Sequence, residues 1–464
     1  MFLILLGCVI AMIAESGESY GYAEGLSNRL KTRAQAQMAS IFLSFTLFID
    51  DYLNALTTSS VMRVLTDKFR IPRIKLAFLT TAMAAPLCSM VPISSWAAAI
   101  IMFLTGAGIT LKYSDAVILA DPFMTLVATI PFMFFSLFFI ASAIFIVLAG
   151  ISYGIIAKHE RIAFSNEANL FGGTTPPEAI IHSSYQKNQA NHRYINFFAP
   201  LIVLSGAIFL TMLATGGFFT KGAGFVESLV GAKAEVSLLF GALFCLGFTF
   251  LLYFAQNKIS LSEAGKACKD GFFMMKDSLI VLTLAWTLAS FMNADLHSGK
   301  YIAQILMPII SPIFLPLSIF VMSAIISFAI GSSWATMTVM FSMVIPMVPE
   351  FCGLSIPVKI DAVGLIYPVI GAVLSGAIFG SSLSPISDLL VITSKNTQVN
   401  HFDYVKAQIQ YLFPIGIGTA LSFGIVGILS GLSYWTKIFV ASVPGLILIG
   451  LIMLILNRLN RVET

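Results

Sequence analysis

Charge is what this sequence has least of. Asp, Glu, Lys and Arg make up only 10% of its 464 residues, against 58% hydrophobic residues. Soluble domains run to about 25% charged and about 45–50% apolar. A water-soluble chain of this composition would expose apolar patches far beyond the few hundred Å² that monomers tolerate. A mean hydropathy of +0.92 says the same. The soluble, disordered and nucleic-acid-binding classes are thereby excluded. Cysteine is scarce: Cys8, Cys88, Cys245, Cys268 and Cys352 are scattered without metal-ligand spacing and read as packing residues. His159, His182, His192, His297 and His401 fall in or near polar segments and form no ligand pair. Met1-Phe2-Leu3 lacks the basic region that would open a signal peptide. A Ser-His-Asp order, a metal motif and a phosphate loop are all missing, so neither an enzyme nor a bound cofactor is expected.

Long apolar runs are what the chain has instead. They cover residues 3–14, 37–62, 76–111, 123–155, 197–216, 235–256, 278–294, 305–348, 362–394, 412–433 and 438–457. Runs of about 20 residues cross a bilayer as helices, and the alternating ~10-residue segments of a membrane barrel are missing. Three runs are irregular. Segment 76–111 is too long for one span and contains Pro86 and Pro92. Segment 362–394 contains Pro368 and Pro385, and segment 37–62 is interrupted by Asp50, Asp51 and Asn54.

Positive charge orients membrane helices. If 37–62 is a re-entrant hairpin, 305–348 contains another, and every other segment crosses once, one side collects 20 Lys and Arg and the other six. That split makes the richer side cytoplasmic and puts the C-terminus there. The polar stretch from Lys158 to Arg193 becomes a cytoplasmic linker, and residues 259–276 a short surface helix.

A repeat localises the site. Ser89-Met90-Val91-Pro92-Ile93-Ser94 matches Ser382-Leu383-Ser384-Pro385-Ile386-Ser387 at an offset of 293, each in the middle of an over-long segment. Ala14-Glu15 matches Ala294-Asp295 at an offset of 280, which also sets Asp51–Ala55 against Gly331–Ala335. Each half reads span, hairpin, broken span, span, span, and the halves start on opposite sides. The expected fold is an all-α polytopic membrane protein: an inverted structural repeat with two re-entrant hairpins and two broken transmembrane helices. The first repeat covers residues 1–216, including the linker 156–195, and the second 235–464. Segment 235–256 has no counterpart in the first half, which predicts a further helix ahead of Met1. Inverted repeats with broken helices mark secondary transporters. A helix broken at midplane frees backbone groups that survive only beside a polar cavity.

Four polar clusters interrupt the apolar runs: Asp50-Asp51-Tyr52-Leu53-Asn54; Ser89 with Ser94-Ser95-Trp96; Gly331-Ser332-Ser333-Trp334-Ala335-Thr336; and Ser381-Ser382-Leu383-Ser384-Pro385-Ile386-Ser387-Asp388. Their hydroxyl, amide and carbonyl oxygens suit alkali cations. Burying three aspartates costs about 8–10 kcal/mol on insertion scales, so Asp50, Asp51 and Asp388 are candidate ion or proton sites. Adjacent side chains on a helix point about 100° apart. Asp50 and Asp51 cannot both face one ion, and one of them can instead pair with a cation such as Arg63. Asp388 can alternatively cap its half-helix. Glu15 and Asp295 read as interface residues near segment ends, and Trp96 and Trp334 as packing or interface aromatics.

From about residue 40 to 420 the chain resembles the NhaC-type sodium/proton antiporter family. The resemblance is carried by Phe48-Ile49-Asp50-Asp51-Tyr52-Leu53-Asn54, Val61-Met62-Arg63, Thr66-Asp67-Lys68, Ala84-Ala85-Pro86-Leu87-Cys88, Pro92-Ile93-Ser94-Ser95-Trp96, Gly331-Ser332-Ser333-Trp334 and Ser384-Pro385-Ile386-Ser387-Asp388. It implies an ion-transporter fold with paired hairpins and broken helices, sodium coupling, a bacterial inner-membrane location and assembly as a homodimer. The sodium ligands expected from the polar clusters are Asp51, Asn54, Ser333, Ser387 and Asp388. Asp50, Ser89, Ser94, Ser95, Ser332, Thr336, Ser382 and Ser384 complete the lining. Family members often carry Gly-Asp-His-Cys where this chain has Gly380-Ser381-Ser382-Leu383, and Asp-Ser-Thr where it has Thr81-Ala82-Met83. Two carboxylates and a histidine are therefore absent, leaving Asp50, Asp51 and Asp388 to hold the proton. The expected function is sodium–proton exchange. The alternative is sodium-coupled transport or exchange of a small carboxylate or amino acid, which the family also includes. A channel or sensor fits less well, because the longest loop has only about 40 residues and a repeat of this kind serves alternating access.

Overall fold

A computed structural model describes residues 2–18, 30–165, 194–220, 222, 224, 228, 233–273, 276, 311–429 and 431–462. Segment 278–294, Asp295 and most of the linker 156–195 lie outside the described residues. The described helices are α1 (Phe2–Glu15), α2 (Arg33–Thr46), α3 (Asp51–Lys68), α4 (Arg73–Met90), α5 (Ser95–Gly106), α6 (Pro122–Thr129), α7 (Phe134–Leu148), α8 (Gly154–Ser165), α9 (Tyr194–Thr215), α10 (Ala234–Ala255), α11 (Leu315–Ile330), α12 (Ser333–Phe351), α13 (Ile366–Leu383), α14 (Asp388–Thr397), α15 (His401–Ile428) and α16 (Tyr434–Val462). Among the described residues, five helices are long and apolar enough to cross a membrane, and two further bent pairs qualify when each is taken as one span. The chain is a multi-pass helical membrane protein.

The irregular runs resolve into separate helices. Segment 76–111 is α4 and α5, bent by 49° across residues 91–94. Segment 362–394 is α13 and α14, separated by residues 384–387. Segment 37–62 is α2 and α3, packed together across a turn at 47–50, and 305–348 contains α11 and α12 with Gly331 in the left-handed region at φ 76°. Polar caps fix where each second helix begins. Asp50, Ser94 and Ser332 each accept a backbone N–H from the first turn of the helix that follows, a contribution of about 1 kcal/mol per cap.

Three expectations are corrected. Segment 123–155 is not one straight crossing: α6 continues through a short 3-10 turn to Phe132 and meets α7 at 49°. Pro131 lies in that turn and has no N–H to continue the ladder. The fold is not wholly helical, since two-residue strands β1 (Ile109–Thr110), β2 (Ile118–Leu119) and β3 (Val358–Lys359) form a parallel sheet in that order. It ties the loop after α5 to the loop after α12. The two hairpin helices start at Asp51 and Ser333, 282 residues apart rather than 280. The short surface helix expected at 259–276 is present over residues 261–273, mostly exposed, and it rests on α1 at Gly271, where a Cβ would stand 2.3 Å from the Gly7 carbonyl oxygen.

Close packing uses small residues. Gly376 and Gly380, one turn apart on α13, face the α11 backbone, where an added Cβ would lie 2.4 Å from the Phe320 oxygen and 2.2 Å from the Ala324 oxygen. Small residues four apart let membrane helices approach and gain dispersion where lipid offers no hydrophobic drive. Charged residues gather at the end of the bundle where α4 starts. Lys75 pairs with Glu160 at 2.8 Å, Arg33 stands 3.8 Å from the same carboxylate, and Arg73 pairs with Asp67 at 2.7 Å.

Candidate functional site

The start of α3 lies between the starts of the two half-helices α5 and α14. Asp50 points one oxygen back along its own helix, accepting the Leu53 N–H at 3.0 Å. Its other oxygen accepts the Ser95 hydroxyl at 2.8 Å, and the Ser95 N–H donates to the Ile49 carbonyl at 2.8 Å. This joins α3 to the first broken pair. Two residues on, the Tyr52 hydroxyl donates to Asp388 Oδ2 in the first turn of α14, joining α3 to the second broken pair. The residues around 88–95 and 382–388 are thus held at one place by one helix tip.

The second hairpin closes over the same place. Trp334 on α12 packs against Trp96 on α5 with ring centroids 5.2 Å apart. A Cβ on Gly331 would lie 2.7 Å from Ile386 Cγ1 and 3.0 Å from the Ile386 carbonyl oxygen in the second break. Only a residue without a side chain at positive φ fits there.

Asp51 is the group this arrangement leaves unsatisfied. It is 3% exposed, and its Oδ1 has no hydrogen-bond partner in the protein. It feels the charges of Asp50 and Asp388, and the buried Trp96 indole N–H faces it as a donor that stops short of hydrogen-bond geometry. Cys88, fully buried, is within electrostatic reach of Asp50 and Asp51. More than 90% of buried polar groups are paired in folded proteins. An unpaired carboxylate oxygen among other carboxylates calls for a cation or a proton.

The remaining candidates divide. Ser333 donates to the Ala377 carbonyl at 3.1 Å and meets Ser381 at 2.6 Å, so it fastens the second hairpin to α13. The Ser384 hydroxyl is fully buried in the second break and unpaired. Ser382 and Ser387 are buried beside it, and Ser387 occupies the cap position of α14 without making a side-chain cap. Asn54 turns away: its amide donates to the Ser44 carbonyl at 2.8 Å and accepts from Thr58 at 3.3 Å, closing the α2–α3 hairpin. Ser89 donates to the Pro86 carbonyl and meets Ser136 on α7 at 3.3 Å. Ser94 holds the first break closed through the Cys88 carbonyl at 2.6 Å. Ser332 caps α12, and Thr336 donates back to the Ser332 carbonyl at 2.9 Å.

Asp388 is not buried as expected. It is exposed on the first turn of α14, with Pro385 and Ile386 exposed just before it. Nor is it the cap. It is the first helical residue, and its Oδ1 accepts the following Leu389 N–H at 2.8 Å. Arg63 donates to the Asn396 carbonyl at 2.7 Å, linking α3 to α14. Sequence reasoning left Tyr52 and Trp96 outside the site. Their presence inside the Asp-Asp-Tyr and Pro-Ile-Ser-Ser-Trp strings was the available signal.

Comparison with known proteins places these features. The model of the Na⁺/H⁺ antiporter family matches residues 87–428. An uncharacterised protein of Haemophilus influenzae is 28% identical over 431 residues, covering 92% of this chain and 78% of that protein. The malate-2H⁺/Na⁺-lactate antiporter of Bacillus subtilis is 34% identical over 122 residues, covering 26% of this chain and 24% of that one. The crystal structure of the Alcanivorax borkumensis YdaH transporter aligns over 91% of this chain and 84% of its own, with a TM-score of 0.52 and 14% identity. At that identity the likeness is one of fold.

Proposed function

The chain belongs to the Na⁺/H⁺ antiporter family, a family of secondary transporters rather than enzymes, and on that premise we propose that it exchanges Na⁺ for H⁺ at Asp51 across the bacterial inner membrane. The observation behind this reading is the buried, unpaired Asp51 Oδ1 at the meeting of α3, α5 and α14. A desolvated carboxylate holds a proton firmly, and a cation beside it displaces that proton. One site then binds Na⁺ or H⁺ but not both, which is the requirement for exchange.

In this reading Asp50 keeps the tip of α3 aimed through Ser95, and Asp388, held by Tyr52, adds negative charge from the more exposed side. Ser384 and Ser387 in the second break supply hydroxyls. Asn54 and Ser333 hold the hairpins rather than the ion, so the sodium set narrows to Asp51, Asp388 and the oxygens of the second break. Sodium is cargo, and no resident cofactor is invoked. The halves 1–216 and 235–464 act as inverted repeats, with α2–α3 and α11–α12 as re-entrant hairpins. The charged end bearing Arg33, Lys75 and Glu160 faces the cytoplasm, and so does the C-terminus. Assembly as a homodimer belongs to the same reading and is tested by crosslinking in the membrane.

The test is sodium-driven recovery of ΔpH in everted vesicles or proteoliposomes. A folded, purified protein with no sodium response from about pH 6 to pH 9, the range spanning ordinary bacterial conditions, would contradict the reading. A second reading, sodium-coupled exchange of a small carboxylate, is favoured by the printed activity of the Bacillus subtilis relative. Thermal stabilisation by sodium alone supports the first. Stabilisation only by sodium together with a carboxylate supports the second.

A further inference from the structure

We propose that a polar track between α4, α8 and α15, separate from the carboxylate cluster, carries protons between the charged end of the bundle and the break after α4. It rests on the exchange reading above. Gln408 on α15 is fully buried, and neither its amide oxygen nor its amide nitrogen has a partner in the protein. Tyr404 and Tyr411, four residues before and three after, share its helix face.

Both tyrosines reach α4. The Tyr404 hydroxyl donates to the Ala77 carbonyl at 3.2 Å and meets the Thr81 hydroxyl. The neighbouring Thr80 hydroxyl is buried and unpaired. The Tyr411 ring packs 4.9 Å from Phe78 and stacks on Tyr153 at 4.1 Å. Its hydroxyl accepts the Tyr153 N–H at 3.0 Å, while the Tyr153 hydroxyl is buried and unpaired. Tyr411 also neighbours Ser152, whose buried hydroxyl has no partner in the protein, and feels the charge of Glu160, the carboxylate that holds Lys75 and Arg33.

Glu160, Ser152 and Tyr411 therefore adjoin one another, Gln408 lies between Tyr411 and Tyr404 on one face of α15, and Tyr404 passes the run on to Thr81 of α4. Thr81 stands about two helical turns from Ser89 at the break. Buried polar atoms without protein partners are ordinarily satisfied by enclosed water. Hydroxyls and an amide interleaved with water can each accept a proton from one side and release one to the other. Beyond Glu160 the named groups include no carboxylate, so the track passes a proton on without holding a cation.

The experiment compares two fluxes in proteoliposomes: radiolabelled Na⁺/Na⁺ exchange without a pH gradient, and Na⁺ uptake driven by a proton gradient. The first needs no proton movement. The variants are Gln408→Leu and Tyr404→Phe. Gln408→Leu breaks no hydrogen bond within the protein, and thermal unfolding of both variants checks that each remains folded. Proton-driven uptake is expected to fall at least about tenfold in both variants, the scale of a lost proton-transfer group. Na⁺/Na⁺ exchange is expected to stay within about twofold, well inside that loss. Equal loss of both fluxes, or no loss of either, overturns the track while leaving the exchange reading standing. A parent protein that exchanges Na⁺ for Na⁺ but never Na⁺ for H⁺ overturns both.

Discussion

Replacing Asp51 by Asn separates charge from shape. The amide fills the same space and keeps an oxygen at the site, but it neither holds a proton nor attracts a cation. In the parent protein at alkaline pH, where protons compete least, the buried carboxylate has an unpaired oxygen and two further carboxylates in electrostatic reach. Leaving one buried acceptor unpaired costs about 1–3 kcal/mol, and more when it is charged. Asp51→Asn keeps an unpaired oxygen but removes the charge, so at alkaline pH the sodium-free variant is at least as stable as the sodium-free parent. Sodium acts the other way round. At a hundredfold its dissociation constant, a ligand that binds only the folded state adds about 2.7 kcal/mol, or roughly 3 °C in Tm for a chain of this size. The parent shows that shift and the variant shows none. The assay is thermal unfolding in sodium chloride against choline chloride at one ionic strength. A variant that keeps the parent's sodium shift, or is less stable than the parent without sodium, refutes the reasoning.

Further outcomes follow from other contacts. Tyr52→Phe removes the hydroxyl donated to Asp388; transport is expected to need higher sodium, with maximal rate less affected, and an unchanged sodium dependence removes that bond from the site. Gly380→Val drives a side chain into the Ala324 oxygen 2.2 Å away and is expected to lower stability by about 3 kcal/mol, the upper range for overpacking, read as Tm in detergent. Glu160 lies outside the spans; burial raises its pKa, but the Lys75 charge and hydrogen bond outweigh that and hold it below the ordinary value of 4.5. Its contribution to stability is therefore full above pH 4.5 and is lost as the pH falls through the depressed value. Lys75→Met is expected to cost about 3 kcal/mol, the lower figure for breaking a buried pair, because Arg33 remains 3.8 Å from the same carboxylate. A flat acid titration of stability in the parent contradicts this.

The helix breaks were legible because Pro92 and Pro385 each sit in a Ser-rich string inside an apolar run, and breaking a membrane helix needs such a cause. The caps were not read: Asp50, Ser94 and Ser332 stood as candidate site residues, because a buried polar residue in an apolar run looks the same whether it holds an ion or a helix start, and the one cap considered, Asp388, is the first helical residue instead. The bend before Met133 was hidden, since Pro131 stands alone in apolar sequence without polar neighbours. Two-residue strands leave no alternating pattern to read. Asn54 looked like an ion ligand because its partner Ser44 comes ten residues earlier, across a turn whose geometry composition does not encode. The Tyr404, Gln408 and Tyr411 face had helical spacing, but it lies ahead of the apolar run 412–433, and α15 begins a full three turns before that run. Asp388 looked buried by its neighbours in sequence, although only the packing of α14 decides which side of its first turn meets solvent.

The central claim is that sodium and a proton compete for Asp51. It is tested most directly by counting protons released when sodium is added to the purified protein in weakly buffered detergent solution. Sodium should release protons from the parent, with the yield falling at alkaline pH as the site empties beforehand, and none from Asp51→Asn. Sodium binding without proton release at any pH, or equal release from the variant, would contradict the account.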